Sequence, residues 1–201
     1  MFTGIVQAVV PVISVVPKKD GLQVRFKKPL RFKMKKGDSI LVDGVCSTVV
    51  SFGTAFFEVF YMPETMAKTN AGALKKGQTV NIESSLRMGQ TIDGHFVQGH
   101  VDKTEKILSM KKGAKRCEMR ITLSPFLRPF VSLHGSLTVN GVSLTVADVS
   151  RTQCMIALIP FTLEHTNLAS LEKGDSVNIE VDSLARIVVA ALENTSVTSK
   201  R

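Results

Sequence analysis

The sequence predicts an all-β protein made of two homologous small barrels followed by a C-terminal helix. Three observations lead to this prediction. The chain matches itself at an offset of 97 residues, each copy contains short segments of alternating apolar and polar residues, and apolar residues at helical spacing close the chain. With 201 residues, 44% of them hydrophobic and 21% charged, the chain has the composition of a folded protein and the length of two small domains.

The duplication is visible in three segments. SILVDGVCSTV (39–49) and SLTVNGVSLTV (136–146) agree at six of eleven positions, PETMAKTN (63–70) and PFTLEHTN (160–167) at four of eight, and GQTVNIE (77–83) and GDSVNIE (174–180) at five of seven. A repeat of this length is the size of a domain rather than of a solenoid unit. We therefore expect an N-terminal domain at residues 1–97 and a second domain at residues 98–182.

The chain opens with a nearly continuous apolar run from Ile5 to Val16. No basic residues precede it, as a signal peptide would require, and it is shorter than the roughly 20 apolar residues of a membrane span. Pro11 also interrupts it. The run predicts a buried strand or a pair of strands, and we expect a cytoplasmic protein that does not engage a membrane.

The following elements have the alternation of half-buried strands, and tight turns separate them. Asp43-Gly44 and Asn140-Gly141 predict turns between strands. Short strands joined in this way favour a small closed barrel in each copy. Residues 63–70 and 160–167 each predict a short helical turn that begins at a proline. The alternating segments of the first copy are Leu22–Phe26, Ser39–Val42, Val45–Phe52, Phe56–Tyr61 and Val80–Glu83.

The last segment, residues 183–201, predicts a helix and a polar tail. Asp182 or Ser183 is a suitable N-cap for a helix that runs to about Glu193, and apolar residues lie on more than one of its faces. Such a helix packs either on its own barrel or against the same helix of other subunits. The tail beyond residue 193 is expected to be frayed.

Charge and cysteine content exclude several classes of function. The net charge is +9, but basic pairs such as Lys35-Lys36 lie beside turn residues, and the chain has no Trp and one Tyr. A nucleic-acid surface would interleave basic residues with aromatic ones, so no nucleic-acid partner is expected. Three cysteines without zinc-like spacing exclude a disulfide framework and favour a reducing compartment.

Polar side chains repeat around the two predicted turns. Ser39, Cys46 and Thr48 of the first copy correspond to Ser136, Ser143 and Thr145 of the second. Strand alternation places Cys46 and Thr48 on one face. The pair suits hydrogen bonding to a polar heterocycle, although small hydroxyl residues also fill barrel interiors. Cys46 has no basic neighbour in sequence, which favours a contact role over a nucleophilic one.

His95 and His100 lie near the boundary between the copies, in DGHFVQGHVD (93–102). Their spacing does not match a metal-hydrolase motif, so no metal site is expected. His100 is the more plausible hydrogen-bonding or proton-transfer group. Glycine-rich loops that open a helix after a strand are missing from the sequence, so no nucleotide-type cofactor is expected.

Several segments together resemble the riboflavin synthase family of the alpha-chain type. They are MFTGIV, GVCSTV, LRMGQTIDGHFVQGHVD, GSLTVNGVSLTV, IPFTLEHTNL and VNIEVDSLA, and the resemblance covers residues 1–193. It implies two similar six-stranded Greek-key barrels and a C-terminal helix that assembles a homotrimer. The implied reaction converts two molecules of 6,7-dimethyl-8-ribityllumazine into riboflavin and 5-amino-6-(D-ribitylamino)uracil without a cofactor, in active sites between the first barrel of one subunit and the second barrel of a neighbour.

The resemblance also implies which residues contact the lumazine. It assigns to the first barrel Gly4, Ile5, Val6, Cys46, Ser47, Thr48, Phe60, Tyr61, Met62, Pro63, Glu64, Thr65, Gly99, His100 and Val101. To the second barrel it assigns His134, Ser143, Leu144, Thr145, Ile159, Pro160, Phe161, Thr162 and Leu163. His100, Cys46, Ser39 and Asp182 are the candidate catalytic residues. The residues alone do not choose between Cys46, Ser39 and a bound water as the group that adds to the acceptor.

Three residues depart from the family pattern. Ser47 replaces a usual leucine, His134 lies where some members have lysine, and Phe161 replaces a common polar residue. The alternative function is that of the lumazine proteins, non-catalytic relatives that hold one fluorescent ligand as an antenna. Because Ser143, Thr145 and Thr162 remain in the second copy, we favour the enzyme. Lumazine synthase is a further candidate partner.

Overall fold

The computed structural model describes residues 1–30, 32–113 and 117–198, with the backbone alone for residues 195–198. Two closed antiparallel barrels of six strands occupy most of this chain. The first barrel has the strand order β1-β2-β5-β4-β3-β6, and β6 pairs with β1 to close it. Its strands are β1 (Ala8–Lys18), β2 (Gly21–Lys27), β3 (Ser39–Val42), β4 (Val45–Phe52), β5 (Phe56–Tyr61) and β6 (Thr79–Ser84).

The second barrel repeats the same order, β7-β8-β11-β10-β9-β12. The all-β fold class and the duplication predicted from the sequence are thereby confirmed. Its strands are β7 (Lys103–Lys112), β8 (Cys117–Thr122), β9 (Ser136–Val139), β10 (Val142–Val149), β11 (Gln153–Leu158) and β12 (Ser176–Val181).

Within the described residues, three α-helices accompany the barrels. The predicted proline-led turns are α1 (Pro63–Lys68) and α2 (Pro160–His165), and α3 (Ser183–Thr198) ends the described chain. Helix α3 extends beyond the predicted end at Glu193, so the polar residues from Asn194 to Thr198 are helical. The remainder of the predicted tail, 199–201, lies outside the described residues. No helix among those described is both long and apolar enough to cross a membrane.

The apolar run at the N-terminus forms one strand that is only partly buried. Val10 and Val12 face the core at 4% and 2% exposure, whereas Val9, Ile13 and Val16 are exposed. The expected buried strand is therefore buried on one face only, because the alternate residues face outward although they too are apolar. Pro11 is accommodated at the junction where β1 passes from its pairing with β6 to its pairing with β2.

The barrels meet at the tips of two equivalent hairpins. Asp43-Gly44 and Asn140-Gly141 all have positive φ, as two-residue turns between antiparallel strands require. A Cβ atom at Gly44 would lie 2.8 Å from the backbone nitrogen of Gly141, so only glycine allows the turns to approach so closely.

Amide side chains surround these two turns. The Asp43 carboxylate accepts hydrogen bonds from the Asn81 N–H (2.7 Å) and the Asn167 side chain (2.9 Å), and Asn140 accepts one from the Asn178 N–H (2.8 Å). The side chain of Asn178 in turn donates to the Asp43 carbonyl across the interface (2.7 Å). These buried polar groups are satisfied by one another, so the relative position of the two barrels is fixed by directional contacts.

Candidate functional site

The polar residues of β4 form a cluster on the outside of the first barrel. Val45 and Val49 join the core, so strand alternation turns Cys46 and Thr48 outward, and both are exposed. This confirms that they share a face and corrects the alternative that they fill the barrel interior. Ser39 pairs with Thr48 across the strands and hydrogen-bonds to the Cys46 thiol.

A cavity of about 200 Å³ lies beside Cys46 and gathers residues that are distant in sequence. His100 is exposed within it. The cavity brings together six of the predicted contact residues and adds Val45, Lys68 and Thr69, which the sequence did not indicate. Its lining consists of Val45, Cys46, Glu64, Thr65, Lys68, Thr69, Gly99, His100 and Val101.

Two segments lead into the barrels, residues 3–7 into the first and residues 98–102 into the second, and we call them the lead-in segments. Each lies against the other barrel, the second beside Cys46 and the first beside its counterpart Ser143. The Cys46 N–H donates to the carbonyl of Gly99 (2.9 Å), and the Ser143 N–H donates to the carbonyl of Gly4 (2.8 Å). Added Cβ atoms at Gly99 and Gly4 would each lie 2.7 Å from the facing Cβ, of Cys46 and Ser143 respectively. The expected grouping of residues 4–6 with the first barrel is therefore corrected, because Gly4 lies against Ser143 of the second.

Two buried glutamates hold these lead-in segments, and sequence reasoning did not assign them to the site. Glu83 accepts hydrogen bonds from the Thr3 N–H (2.7 Å) and the Gly4 N–H (3.0 Å). Glu180 accepts from the Gln98 N–H (2.8 Å) and the Gly99 N–H (2.9 Å). Burial raises the pKa of both carboxyls, and the backbone donors counter it. The repeated VNIE segment is the signal that could have identified them.

The second cluster surrounds Ser143 and includes His95. The His95 Nδ1 atom lies 2.7 Å from the Ser143 hydroxyl, and its Nε2 atom lies 3.1 Å from the Thr138 hydroxyl. Burial lowers the pKa of His95, against an opposing effect of Asp182. This shift favours the neutral imidazole, which forms a hydrogen bond with the serine hydroxyl and so orients it.

The four candidate catalytic residues separate into two groups. Ser39, Cys46 and His100 belong to the first cluster, whereas Asp182 acts electrostatically on His95 and caps α3 through the Leu184 N–H (2.9 Å). Ser39 and Cys46 come from one hairpin, and His100 comes from the segment between the two barrels. Asp182 is thus linked to the second cluster through its effect on the pKa of His95.

The electrostatic environment of Cys46 favours the neutral thiol. Burial raises the thiol pKa, and the hydrogen bond with Ser39 only partly opposes this. A thiolate is the form needed for nucleophilic attack. The environment therefore favours Cys46 as a contact and hydrogen-bonding group.

Some residues predicted to contact ligand point into the barrels. Ser47, Tyr61 and Leu144 are 5%, 2% and 9% exposed. The implied contacts were contiguous segments, but alternation turns every second side chain of a strand inward, so these residues could reach a ligand only through their backbone. The Ser47 hydroxyl lies 3.4 Å from that of Tyr61, so the departure from leucine is matched by a tyrosine inside the same barrel.

Apart from His134, the remaining predicted contacts lie at the ends of β5 and β11, where the chain enters α1 and α2. Met62, Ile159 and Phe161 are exposed there, and Phe161 stacks on His165 with ring centroids 4.0 Å apart. His134 lies in the turn before β9 with a φ of 62°, and its N–H donates to the Val146 carbonyl. The other members of these segments are Phe60, Pro63, Glu64, Thr65, Pro160, Thr162 and Leu163.

Comparison with known proteins identifies relatives along almost the whole chain. The family described as "Lumazine binding domain" matches residues 3–85 and again 98–182. Riboflavin synthase of Bacillus amyloliquefaciens is 35% identical over 98% of this chain and 93% of its own length. Riboflavin synthase of Mycobacterium bovis is 37% identical over 94% of this chain and 96% of its own.

Solved structures of LumP share the fold. LumP complexed with riboflavin superposes with a TM-score of 0.84 at 24% identity, and LumP complexed with 6,7-dimethyl-8-(1'-D-ribityl) lumazine with a TM-score of 0.81 at 23% identity. Each alignment covers 90% of this chain and 99% of LumP. At this identity the likeness concerns the architecture of the two barrels.

Proposed function

The chain belongs to the riboflavin synthase family. We propose that each of its two outward clusters binds one lumazine molecule, and that the two molecules react only when barrels of different subunits face each other. Its activity is that of the family. One molecule of 6,7-dimethyl-8-ribityllumazine transfers a four-carbon unit to a second molecule, so the acceptor becomes riboflavin and the donor becomes 5-amino-6-(D-ribitylamino)uracil.

The observation that carries the proposal is the equivalence of the two clusters. Cys46 and Thr48 project outward from one barrel, as Ser143 and Thr145 do from the other. Each cluster is closed on one side by a glycine carbonyl of a lead-in segment. Two equivalent surfaces suit a reaction that needs two copies of one substrate.

Helix α3 supports assembly into a homotrimer. Leu184, Ile187, Val188 and Leu192 are between 57% and 66% exposed. Four large apolar side chains on one exposed helix favour burial against other subunits. Such an assembly would hold the first-barrel cluster of one subunit opposite the second-barrel cluster of another and orient the two rings for reaction.

The two clusters suit different steps of the reaction. The methyl group on carbon 7 of the donor must lose a proton, and the resulting negative charge spreads into the ring. His100 in the first cluster is the proposed proton-transfer group. Ser143, oriented by His95, and Thr145 would donate hydrogen bonds to the charge that develops on ring oxygen and nitrogen atoms. Cys46 and Ser39 would contact the bound ring.

A reducing, cytoplasmic setting is part of the proposal. The thiols of Cys46, Cys117 and Cys154 are free, which supports such a setting. Lumazine synthase is the proposed partner, since an enzyme that releases lumazine would supply this one.

Counting lumazine sites tests the assignment. Titration of lumazine fluorescence should give two sites per wild-type chain and one for Cys46→Ala with Thr48→Val or for Ser143→Ala with Thr145→Val. Both double variants should lose riboflavin formation. Ser109→Ala, in a half-buried position of β7 outside both clusters, is the matched control and should retain both sites. Two intact sites in either double variant would overturn the assignment.

A further inference from the structure

The two lead-in segments are held by equivalent residues that differ in charge. Gln7 follows Gly4 as Asp102 follows Gly99, three residues later. The side-chain amide oxygen (Oε1) of Gln7 accepts a hydrogen bond from the Ser84 N–H (3.0 Å), and the Asp102 carboxylate accepts one from the equivalent Val181 N–H (2.9 Å). A neutral amide therefore meets the structural requirement in the first copy, and the negative charge of Asp102 needs a separate explanation.

Arg186 is the partner of this charge. Its Nη1 and Nη2 atoms lie 2.8 Å and 3.0 Å from the two oxygens of Asp102. The Asp102 side chain is only 5% exposed, and that of Arg186 is 40% exposed. A bidentate pair with one buried member is directional and costly to break. In the first copy, Gly89 occupies the position that corresponds to Arg186, so the pair belongs to the second copy alone.

The ion pair connects α3 with the first-barrel cluster. Arg186 lies in the first turn of the helix, where its N–H donates to the Asp182 carbonyl (3.1 Å). Asp102 lies two residues after His100 and three after Gly99, whose carbonyl accepts the Cys46 N–H. The Nε of Arg186 is buried and finds no hydrogen-bond partner among the described residues, so the guanidinium depends on Asp102 for its anchorage.

We propose that Arg186 is a positioning residue through which helix α3 sets the geometry of the first-barrel site. The guanidinium holds Asp102, Asp102 fixes the end of the lead-in segment, and that segment presents His100 beside Cys46. Docking of α3 on its own barrel, through this pair, thereby becomes a condition for correct placement of His100. This inference rests on the proposed sites and assembly and adds a residue that acts on the first-barrel site through Asp102.

Three variants separate positioning from a merely structural role. Arg186→Met removes the ion pair. Asp102→Gln combined with Arg186→Met also removes the buried charge and copies the glutamine of the first barrel. Arg25→Met is the matched control, because Arg25 forms an equally short pair (2.8 Å) with the largely buried Glu58, outside both sites. Thermal unfolding, sedimentation, and kcat and KM for lumazine are measured on each full-length protein.

We expect Arg186→Met to lower kcat by about tenfold to a hundredfold, with a smaller change in KM, because a small displacement of a reacting group has effects of this size. The double variant should regain thermal stability without regaining kcat. A fourth variant, Arg186→Lys, should retain part of the activity that Arg186→Met loses. Arg25→Met should lower stability and leave kcat unchanged.

Two results would overturn the inference. One is recovery of kcat together with stability in the double variant. The other is a kcat for Arg186→Met equal to that of the control, or restored to the wild-type value at protein concentrations where sedimentation finds the full oligomer. Failure of the wild-type protein to form riboflavin would instead refute the proposed function, so the two failures are distinguishable.

Discussion

Asp43 places a carboxyl group among the amide side chains that join the barrels. Its counterpart in the second copy is Asn140, which occupies the same turn with nearly the same φ, 45° against 43°. Burial raises the pKa of Asp43 to about 7, and hydrogen bonds from Asn81 and Asn167 oppose this only in part. The interface thus holds a carboxyl group that titrates near neutrality.

This titration predicts a pH-dependent stability. The pKa of Asp43 is higher in the folded state than the ordinary value of 3.8, so the free energy of unfolding should fall as pH rises from about 4 to about 7. Asp43→Asn should remove that slope and stabilise the protein at pH 8 by about 1 to 3 kcal/mol. Denaturant unfolding at several pH values checks this. An unchanged slope in the variant would show that other groups cause it.

His100 is the residue whose chemistry is most directly testable. Its replacement by glutamine keeps a hydrogen-bonding side chain but cannot carry a proton at neutral pH, so kcat should fall by about a hundredfold or more. The dissociation constant for lumazine, measured by fluorescence, should change far less. Equal losses in binding and in rate would make His100 a passive contact.

At the scale of elements, local patterns predicted the strands well. The segments 39–42, 45–52 and 56–61 coincide with β3, β4 and β5. Buried residues alternate with exposed polar ones over 45–49 of β4, whereas Ile40, Leu41 and Val42 of β3 are all buried. The N-terminal run lacked that contrast, since its outward residues are also apolar, and its burial was overestimated.

The crossing of the lead-in segments could not be predicted from the sequence. It depends on contacts between Gly4 and Ser143 and between Gly99 and Cys46, which are distant along the chain. Local patterns contain no information about such pairs. For the same reason the sequence did not assign His95 to a site, because its partners Thr138 and Ser143 come from the hairpin of the second barrel.

Each buried glutamate holds a lead-in segment that lies against the other barrel, so substitution of each glutamate tests this crossed arrangement. In Glu180→Gln the amide offers one oxygen and a competing N–H group to the backbone donors of residues 98–100, which should cost about 1 to 3 kcal/mol. Lumazine binding should weaken at the first-barrel site, although Glu180 belongs to the second barrel. Glu83→Gln is the matched variant and should weaken the second-barrel site. Effects confined to each glutamate's own barrel would contradict the crossed arrangement.

Helix α3 is the element on which assembly should depend. Deletion of residues 183–201 removes the exposed apolar side chains and Arg186 together, so smaller species with poor turnover but measurable lumazine binding are expected. Sedimentation checks the size. Retention of the full oligomer by the truncated protein would refute the role of the helix.

At the scale of the whole molecule, the duplication was readable because the hairpin and the VNIE segment tolerate few changes. Gly44 and Gly141 touch each other across the barrel interface, and Glu83 and Glu180 hold backbone groups. Because the turn contact needs glycine and the backbone groups need a glutamate, the same residue types recur in both copies at an offset of 97. The internal repeat does not predict which clusters face one another in an assembly, because that depends on the surfaces through which subunits contact each other.

The proposed catalytic centre combines the first barrel of one subunit with the second barrel of another, and mixed oligomers test this most directly. One parent carries Cys46→Ala with Thr48→Val, the other carries Ser143→Ala with Thr145→Val, and each should be inactive alone. Circular dichroism of each parent confirms folding before the subunits are exchanged.

In a mixed trimer one pairing of barrels contains no substitution, so riboflavin formation at equal mixing should rise to about a quarter of the wild-type rate. Mass measurement confirms that exchange has occurred. If folded, fully exchanged trimers recover no activity above that of either parent, each centre is built within one chain, and the proposal of centres shared between subunits is contradicted.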